Sequence, residues 1–228
     1  MPAVIPLESN PEVFTQFAHF LGLSPSYQYN DVFSINEPDL LALTPRPSES
    51  IILLFPITEK YEELRKEEEK NEGIDGDDVK WFKQSVKNAC GLFALLNSIS
   101  NLSNDSYLPD SLITKFIGAS GDTSKVESLI QEFQSSYDQF ATSGSTEAPD
   151  ANDEVNLHFI SFIKKNGKIY ELDGRRTNLL KIGEANDPEF SDVLGEEVVL
   201  KRINQYIDLT DDENKLKFSI IALGPSFD

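Results

Sequence analysis

Leu157-His158-Phe159-Ile160-Ser161-Phe162-Ile163-Lys164-Lys165-Asn166-Gly167-Lys168-Ile169-Tyr170-Glu171-Leu172-Asp173-Gly174 is the stretch of this chain that carries the most geometry. Two β-prone runs, Leu157 to Ile163 and Lys168 to Asp173, flank Asn166-Gly167. Asn-Gly is the strongest short-range hairpin signal, because a type I′ turn needs positive φ at both central positions. With Asn166 and Gly167 in those positions, Lys165 pairs with Lys168 and Asp173 falls opposite Ile160. His158 has the parity of Ile160, so His158 and Asp173 share a face as diagonal neighbours, with backbones roughly 7 to 8 Å apart and side chains within reach. A slip of one residue would send them to opposite faces, so the pairing depends on the turn type.

A carboxylate beside an imidazole fixes its tautomer and stabilises the imidazolium, which prepares the ring to activate a nucleophile. The chain holds one cysteine, Cys90. A neutral thiol attacks poorly at pH 7, and two devices generate the thiolate: a helix N-terminus and a neighbouring imidazole. Asn88 opens a helical segment from Ala89 to about Leu102, with Leu92, Leu95, Leu96, Ile99 and Leu102 as its apolar stripe, and Cys90 lies in the first turn. His158 supplies the second device. An acyl-transfer site also needs donors for the oxyanion, and the Cys90 backbone N–H with the side-chain amide of Gln84, six residues upstream, are the candidates. Such chemistry requires no metal and no cofactor.

Each of these residues has a plainer alternative. A lone cysteine is usually core filler, His158 could be a half-buried strand residue, Asp173 before Gly174 a turn former, and Gln84 a surface side chain. Their convergence on one arrangement favours the chemical role. The other histidine, His19, sits beside Phe20 and one step off a helical apolar stripe, at the surface, and is rejected as the base.

Composition bounds these roles. The chain has 228 residues, 39% hydrophobic and 10% aromatic, enough for one domain with a substantial core. No apolar run is long enough for a membrane span, and Met1 to Asn10 lacks the basic start and apolar run of a leader. One cysteine forms no internal disulfide, which fits a reducing compartment. The expectation is a soluble, unsecreted, monomeric protein of the cytoplasm, with the nucleus as a second location. A net charge of −19 excludes a nucleic-acid partner, which would need clustered Lys and Arg, and favours a basic partner, unless the acidity serves solubility alone.

Along the chain, Asn10 caps a helix from about Pro11 to Leu21, with Val13, Phe14, Phe17, Phe20 and Leu21 as its core face and Gly22 at its end. Ser50 to Ile57 is a strand buried on both faces and closed by Pro56. Residues 59–80 are dominated by Glu, Lys and Asp and are expected to be a solvated helix or mobile insertion without a chemical role. Asp122 to Ala141 is expected as one helix with a Ser124/Glu127 capping box. Thr142 to Asn156 is polar and long for a loop, which suits a lid leading into His158. About Pro188 to Asp208 is expected to be helical and Lys217 to Leu223 a last strand.

At this point the motifs resemble a known family. Gln84-Ser85-Val86-Lys87-Asn88-Ala89-Cys90-Gly91, Leu157-His158-Phe159 and Glu171-Leu172-Asp173-Gly174, in that order, are similar to the signatures of the ubiquitin C-terminal hydrolases, papain-like cysteine proteases. Pro6-Leu7-Glu8-Ser9-Asn10-Pro11-Glu12-Val13 resembles their N-terminal segment, so the likeness spans nearly the whole chain. The resemblance implies an α+β fold with a central antiparallel sheet flanked by helices in a single domain, residues 1–228. It implies that the partner is ubiquitin, cleaved at its C-terminal Gly through an acyl-enzyme on Cys90, and that segment 142–156 is a crossover loop above the site. Glu8, Asn88, Leu157 and the loop carboxylates Glu147, Asp150, Asp153 and Glu154 become ubiquitin-contacting residues, and a substrate chain threaded under the loop would favour small or unfolded leaving groups. Two other readings share these residues: a ubiquitin-binding protein with little turnover, and a hydrolase of a ubiquitin-like modifier.

Overall fold

The computed structural model describes residues 3–70, 78–146 and 156–227. In chain order the regular elements are α1 (Pro11–Leu21), β1 (Tyr27–Asp31), α2 (Pro38–Leu41), β2 (Ser50–Pro56), α3 (Glu59–Glu69), α4 (Cys90–Ile99), α5 (Leu112–Ala119) and α6 (Thr123–Glu132). They continue with α7 (Gln134–Thr142), β3 (Leu157–Lys165), β4 (Lys168–Leu172), β5 (Leu180–Glu184), α8 (Glu197–Asp208) and β6 (Ser219–Pro225).

The strands form one antiparallel sheet in the order β1-β6-β2-β3-β4-β5. Alternation along β2 explains its continuous apolar run: Ile52 packs toward α1 and α4 to α7, while Ile51, Leu53 and Phe55 pack toward Tyr61 of α3 and Val199, Ile203 and Tyr206 of α8. Both faces are covered, so neither set of side chains is polar. This is the α+β sheet flanked by helices that the motifs implied.

The hairpin has the expected register. Asn166 and Gly167 take φ of 51° and 71°, and Lys165 pairs with Lys168 and Ser161 with Leu172. In α1, the Asn10 side chain accepts the Glu12 and Val13 N–H groups, and Gly22 closes the helix at φ 107°. Phe20 departs from the expected core face: it is 40% exposed, its ring lying against Phe17, Phe133 and Phe140 at the rim.

Other elements correct the sequence expectations. The Cys90 helix is shorter than expected, ending at Ile99, and Gly91 to Ile99 are buried all round rather than along a stripe. Asn88 does not cap it; Ala89 is the N-cap and Asn88 takes φ 62°. The single helix expected over 122–141 breaks at Phe133, whose ring turns into a cluster with Phe17 and Phe116, and Asp122 rather than Ser124 caps α6 by accepting the Lys125 N–H. The last helix starts at Glu197 rather than near Pro188, because Asp192 is engaged by Arg46 and Ser48 and holds the preceding segment in tertiary contacts instead. Among the described residues, no helix is long and apolar enough to cross a membrane.

The charged stretch is also not a solvated appendage where it is described. Residues 59–69 form α3, Tyr61 is 2% exposed, and Leu64 packs partly buried on the same side. Residues 71–77 of that stretch lie outside the described residues.

Candidate active site

Cys90 is the first residue of α4 and remains partly exposed, while the rest of its helix is enclosed. Gly91 eases that placement: a Cβ there would lie 3.0 Å from the Cβ of Leu7, so the N-terminal segment crosses the helix start closely over a glycine. Cys90 belongs to the layer on one face of the sheet and Tyr61 to the layer on the other. His158, at the beginning of β3, is where the two layers meet.

His158 and Asp173 are 2% and 0% exposed. The imidazole Nε2 donates to Asp173 Oδ1 at 2.6 Å, and the ring lines the same cleft as the Cys90 thiol. Asp173 is fully engaged: Oδ1 accepts the Arg175 N–H at 2.8 Å, Oδ2 accepts the Tyr61 hydroxyl at 2.6 Å, and its carbonyl accepts Trp81 Nε1 at 3.2 Å.

The electrostatics follow from these contacts. Burial would raise the Asp173 pKa, but the His158 imidazolium, its hydrogen bond, the Tyr61 hydroxyl and the Arg175 N–H outweigh it and hold the carboxyl well below the usual range. Burial would lower His158, yet the charge and hydrogen bond of Asp173 and the contact with Cys90 push it up to about 9. Burial likewise opposes ionisation of Cys90, but the hydrogen bond and charge of His158, with the N–H groups of Phe159 and Gly91, bring the thiol below its ordinary value. The shifts of His158 and Cys90 both favour the thiolate–imidazolium pair over the neutral pair.

Gln84 is placed by the same two motifs. Its backbone N–H donates to the Gly174 carbonyl at 2.8 Å, and a Cβ on Gly174 would fall 2.9 Å from the Gln84 Cβ, so only glycine lets the Asp173 turn close on this segment. The Gln84 amide donates to the Val86 carbonyl at 3.0 Å, which fixes its plane and leaves a second amide hydrogen for a ligand. Upstream, α4 itself acts as a template. Asn101 accepts the Lys80 N–H at 2.7 Å and donates to the Lys80 carbonyl at 2.8 Å, and Asn97 accepts the Phe82 N–H at 2.7 Å. The helix that carries the thiol therefore holds the strand-like segment leading to Gln84.

Cys90, His158 and Gln84 open on a cleft of ≈ 430 Å³ that Glu8, Asn88, Leu157 and Arg175 also line. Glu8 does a specific job here: its Oε2 accepts the Thr146 N–H at 3.1 Å, tying the N-terminal segment to the start of the 142–156 stretch. Glu147, Asp150, Asp153 and Glu154 lie outside the described residues. His19 is half-buried and its Nε2 is bound to the Tyr27 carbonyl at 2.8 Å, remote from this chemistry. Tyr61, Asn97, Asn101 and Arg175 were not anticipated. For Tyr61 a signal existed, since Ile57, Tyr61 and Leu64 repeat at helical spacing within the charged run.

A helix-start thiol sharing a cleft with an imidazole that is bonded to a buried carboxylate, set on an antiparallel sheet with helices on both faces, defines a papain-like cysteine hydrolase. Residues 4–208 match the family described as ubiquitin carboxyl-terminal hydrolase, family 1. The chain belongs to that family and is a cysteine-type ubiquitinyl hydrolase. It is 42% identical over 239 aligned residues to ubiquitin carboxyl-terminal hydrolase YUH1 of Saccharomyces cerevisiae, covering 99% of this chain and 98% of the relative. The ubiquitin carboxyl-terminal hydrolase of Drosophila melanogaster is 33% identical over 227 residues, with 96% of each chain covered. In fold, it is similar to the UCH37 catalytic domain of Trichinella spiralis, solved bound to ubiquitin vinyl methyl ester, with a TM-score of 0.74 at 20% identity over 99% of this chain and 97% of that one.

Proposed function

We propose that the chain removes adducts from the C-terminal Gly of ubiquitin with Cys90 as nucleophile. The Cys90 thiolate attacks the Gly carbonyl, and the oxyanion is held by the Cys90 N–H and the Gln84 amide. His158 passes its proton to the leaving amine or thiol as the carbon–heteroatom bond breaks, leaving a thioester on Cys90. His158 then takes a proton from water, whose oxygen attacks the thioester and releases the ubiquitin carboxylate and the thiolate. Asp173 keeps the ring oriented and stabilises its charged form throughout. The observation that carries this reading is the 2.6 Å bond between His158 and Asp173 beside a cleft that His158 shares with Cys90, the first residue of α4.

The rest of the proposal concerns selectivity and setting. Segment 142–156 crosses over the site and limits the leaving group to small or unfolded adducts; the tie between Glu8 and Thr146 supports an anchored loop base. Glu147, Asp150, Asp153 and Glu154 meet the arginines of the ubiquitin tail, each exposed pair contributing about 0 to 1 kcal/mol, so they aid capture more than affinity. Asn88 and Leu157 contact the tail from the cleft wall. Residues 1–228 act as one catalytic domain, monomeric and in the cytoplasm and nucleus.

The test is hydrolysis of a fluorogenic amide at the ubiquitin C-terminus by the native chain and by Cys90→Ala. Turnover by the native chain and background rates for the variant are expected; equal rates overturn the proposal. The pH profile of kcat/KM carries a further expectation. On the acid side the rate falls as the thiolate is protonated. On the alkaline side it falls through about 9, because His158 then loses the proton it must donate. A profile still flat well above that point contradicts His158 as the acid.

A further inference from the structure

We infer that Tyr61 of α3 is a positioning residue of the active site, its hydroxyl locking one carboxylate oxygen of Asp173 so that the other faces His158. The inference rests on the function proposed above and adds an element to the site that the catalytic motifs do not contain. The Tyr61 hydroxyl donates to Oδ2 at 2.6 Å, while Oδ1 takes the His158 ring at 2.6 Å and the Arg175 N–H at 2.8 Å. Three donors on two oxygens leave the carboxylate no freedom to rotate about its Cβ–Cγ bond. Asp173 is 0% exposed, so no solvent stands ready to replace a lost donor.

The donor is itself held rigidly. The Tyr61 ring meets Phe55 edge-on at 4.8 Å and Tyr206 at 5.6 Å, and Phe55 in turn meets the His158 ring at 5.9 Å. Side-chain carboxylates of α3 are tied to the residues that follow Asp173: Glu62 pairs with Arg175 at 2.7 Å, Glu68 with Arg176 at 2.6 Å, and Glu69 accepts the Thr177 N–H at 3.1 Å. Glu68 also reaches Arg202 of α8 at 2.7 Å. Three of the carboxylates that made this segment look solvated, Glu62, Glu68 and Glu69, are thus paired across to residues 175–177, and they hold α3 to the turn that carries Asp173.

Several charged groups surround this clamp. Cys90 faces the imidazole from α4, Arg175 with its partner Glu62 borders Asp173, and Glu171, with Arg176, Arg202 and Tyr206, lies behind Tyr61. Burial and the neighbouring Asp173 charge raise the Tyr61 phenol well above its ordinary value, so it remains a donor over the working pH range.

Tyr61→Phe tests the idea, because it keeps the ring and removes only the hydroxyl that donates to Asp173. Asp173 then carries less-neutralised charge and a freer oxygen, holding the imidazolium harder but less well aimed. The expected result is a kcat about 10-fold lower with KM for the ubiquitin amide unchanged, and an alkaline limb of kcat/KM displaced above the native one. An imidazole titration of His158 by NMR should show the same upward displacement, and it reads the role of Tyr61 whether or not the chain turns substrate over. In the native protein, a slowly exchanging hydroxyl proton coupled to the Tyr61 ring is expected, which needs no variant to fold. A merely packed tyrosine would change the melting temperature alone; native kcat with a native His158 titration, or a fast-exchanging hydroxyl, overturns the inference. Failure of the native chain to hydrolyse the amide would instead overturn the proposed function.

Discussion

His158→Gln is expected to lower kcat/KM by about 10²- to 10⁴-fold, since in the proposed mechanism it removes both the group that generates the thiolate and the acid that protonates the leaving group. The imidazolium is also the largest influence opposing burial at Cys90, so the thiol of the variant should rise back above its native value. Alkylation of Cys90 by iodoacetamide at pH 6 gives a readout independent of ubiquitin: it should be fast in the native chain and slow in the variant. Because Asp173 is held low chiefly by His158 against its own burial, the variant also leaves a buried carboxylate with the Tyr61 hydroxyl and the Arg175 N–H as remaining donors. A lower melting temperature should accompany the lost activity. Native alkylation and native turnover in this variant would remove His158 from the mechanism.

Gln84→Ala is expected to cost about 10²- to 10³-fold in kcat, the range for deleting one preorganised oxyanion donor. Its backbone bond to the Gly174 carbonyl and the Asn97 and Asn101 contacts upstream do not involve the side chain, so the fold around Cys90 should persist. Alkylation of Cys90 should stay near native, because the role proposed for Gln84 is at the developing oxyanion and not at the thiolate. This pattern separates the two variants: His158→Gln slows both alkylation and hydrolysis, Gln84→Ala hydrolysis alone. A Gln84→Ala enzyme with native kcat would leave the Cys90 N–H as the sole donor and contradict the assigned role.

How much of this was legible in the sequence depends on whether an interaction is local. The Asn166-Gly167 turn demands positive φ at two adjacent positions, and that single requirement sets the β3/β4 register and brings His158 to Asp173. The α1 boundaries were equally local, written in Asn10, Pro11 and Gly22. Elements shaped by distant partners were not readable. Asp122 to Ala141 has helical periodicity throughout, but the aromatic cluster around Phe133 breaks it. The residues before Glu197 are held out of the helix by bonds from Asp192 to Arg46 and Ser48, more than a hundred positions away. The edge strands β1 and β5 lack the apolar alternation that betrays a strand, because one is rich in polar residues and the other is half-exposed.

The same distinction runs through the site. Cys90, His158, Asp173 and Gln84 stand in motifs dense with local signals. Tyr61 lies in a run of Glu and Lys whose net character suggests a solvated surface, and only the tertiary pairing of Glu62, Glu68 and Glu69 with residues 175–177 reveals that the charges face inward partners. Asn97 and Asn101, in the last turn and just past the end of an apolar helix, carry no local signal of their role, yet their amides bond the backbone of Lys80 and Phe82.

The central claim, that Cys90 is the nucleophile toward the ubiquitin C-terminus, is tested most directly by incubating the native chain with ubiquitin carrying a C-terminal vinyl methyl ester and mapping the product by peptide mass spectrometry. Because Cys90 is the only cysteine in the chain, a thioether can form at one position only. A one-to-one covalent adduct on the Cys90 peptide, absent from Cys90→Ala, is the predicted result; a ubiquitin complex that dissociates on denaturation and leaves Cys90 unmodified would contradict it.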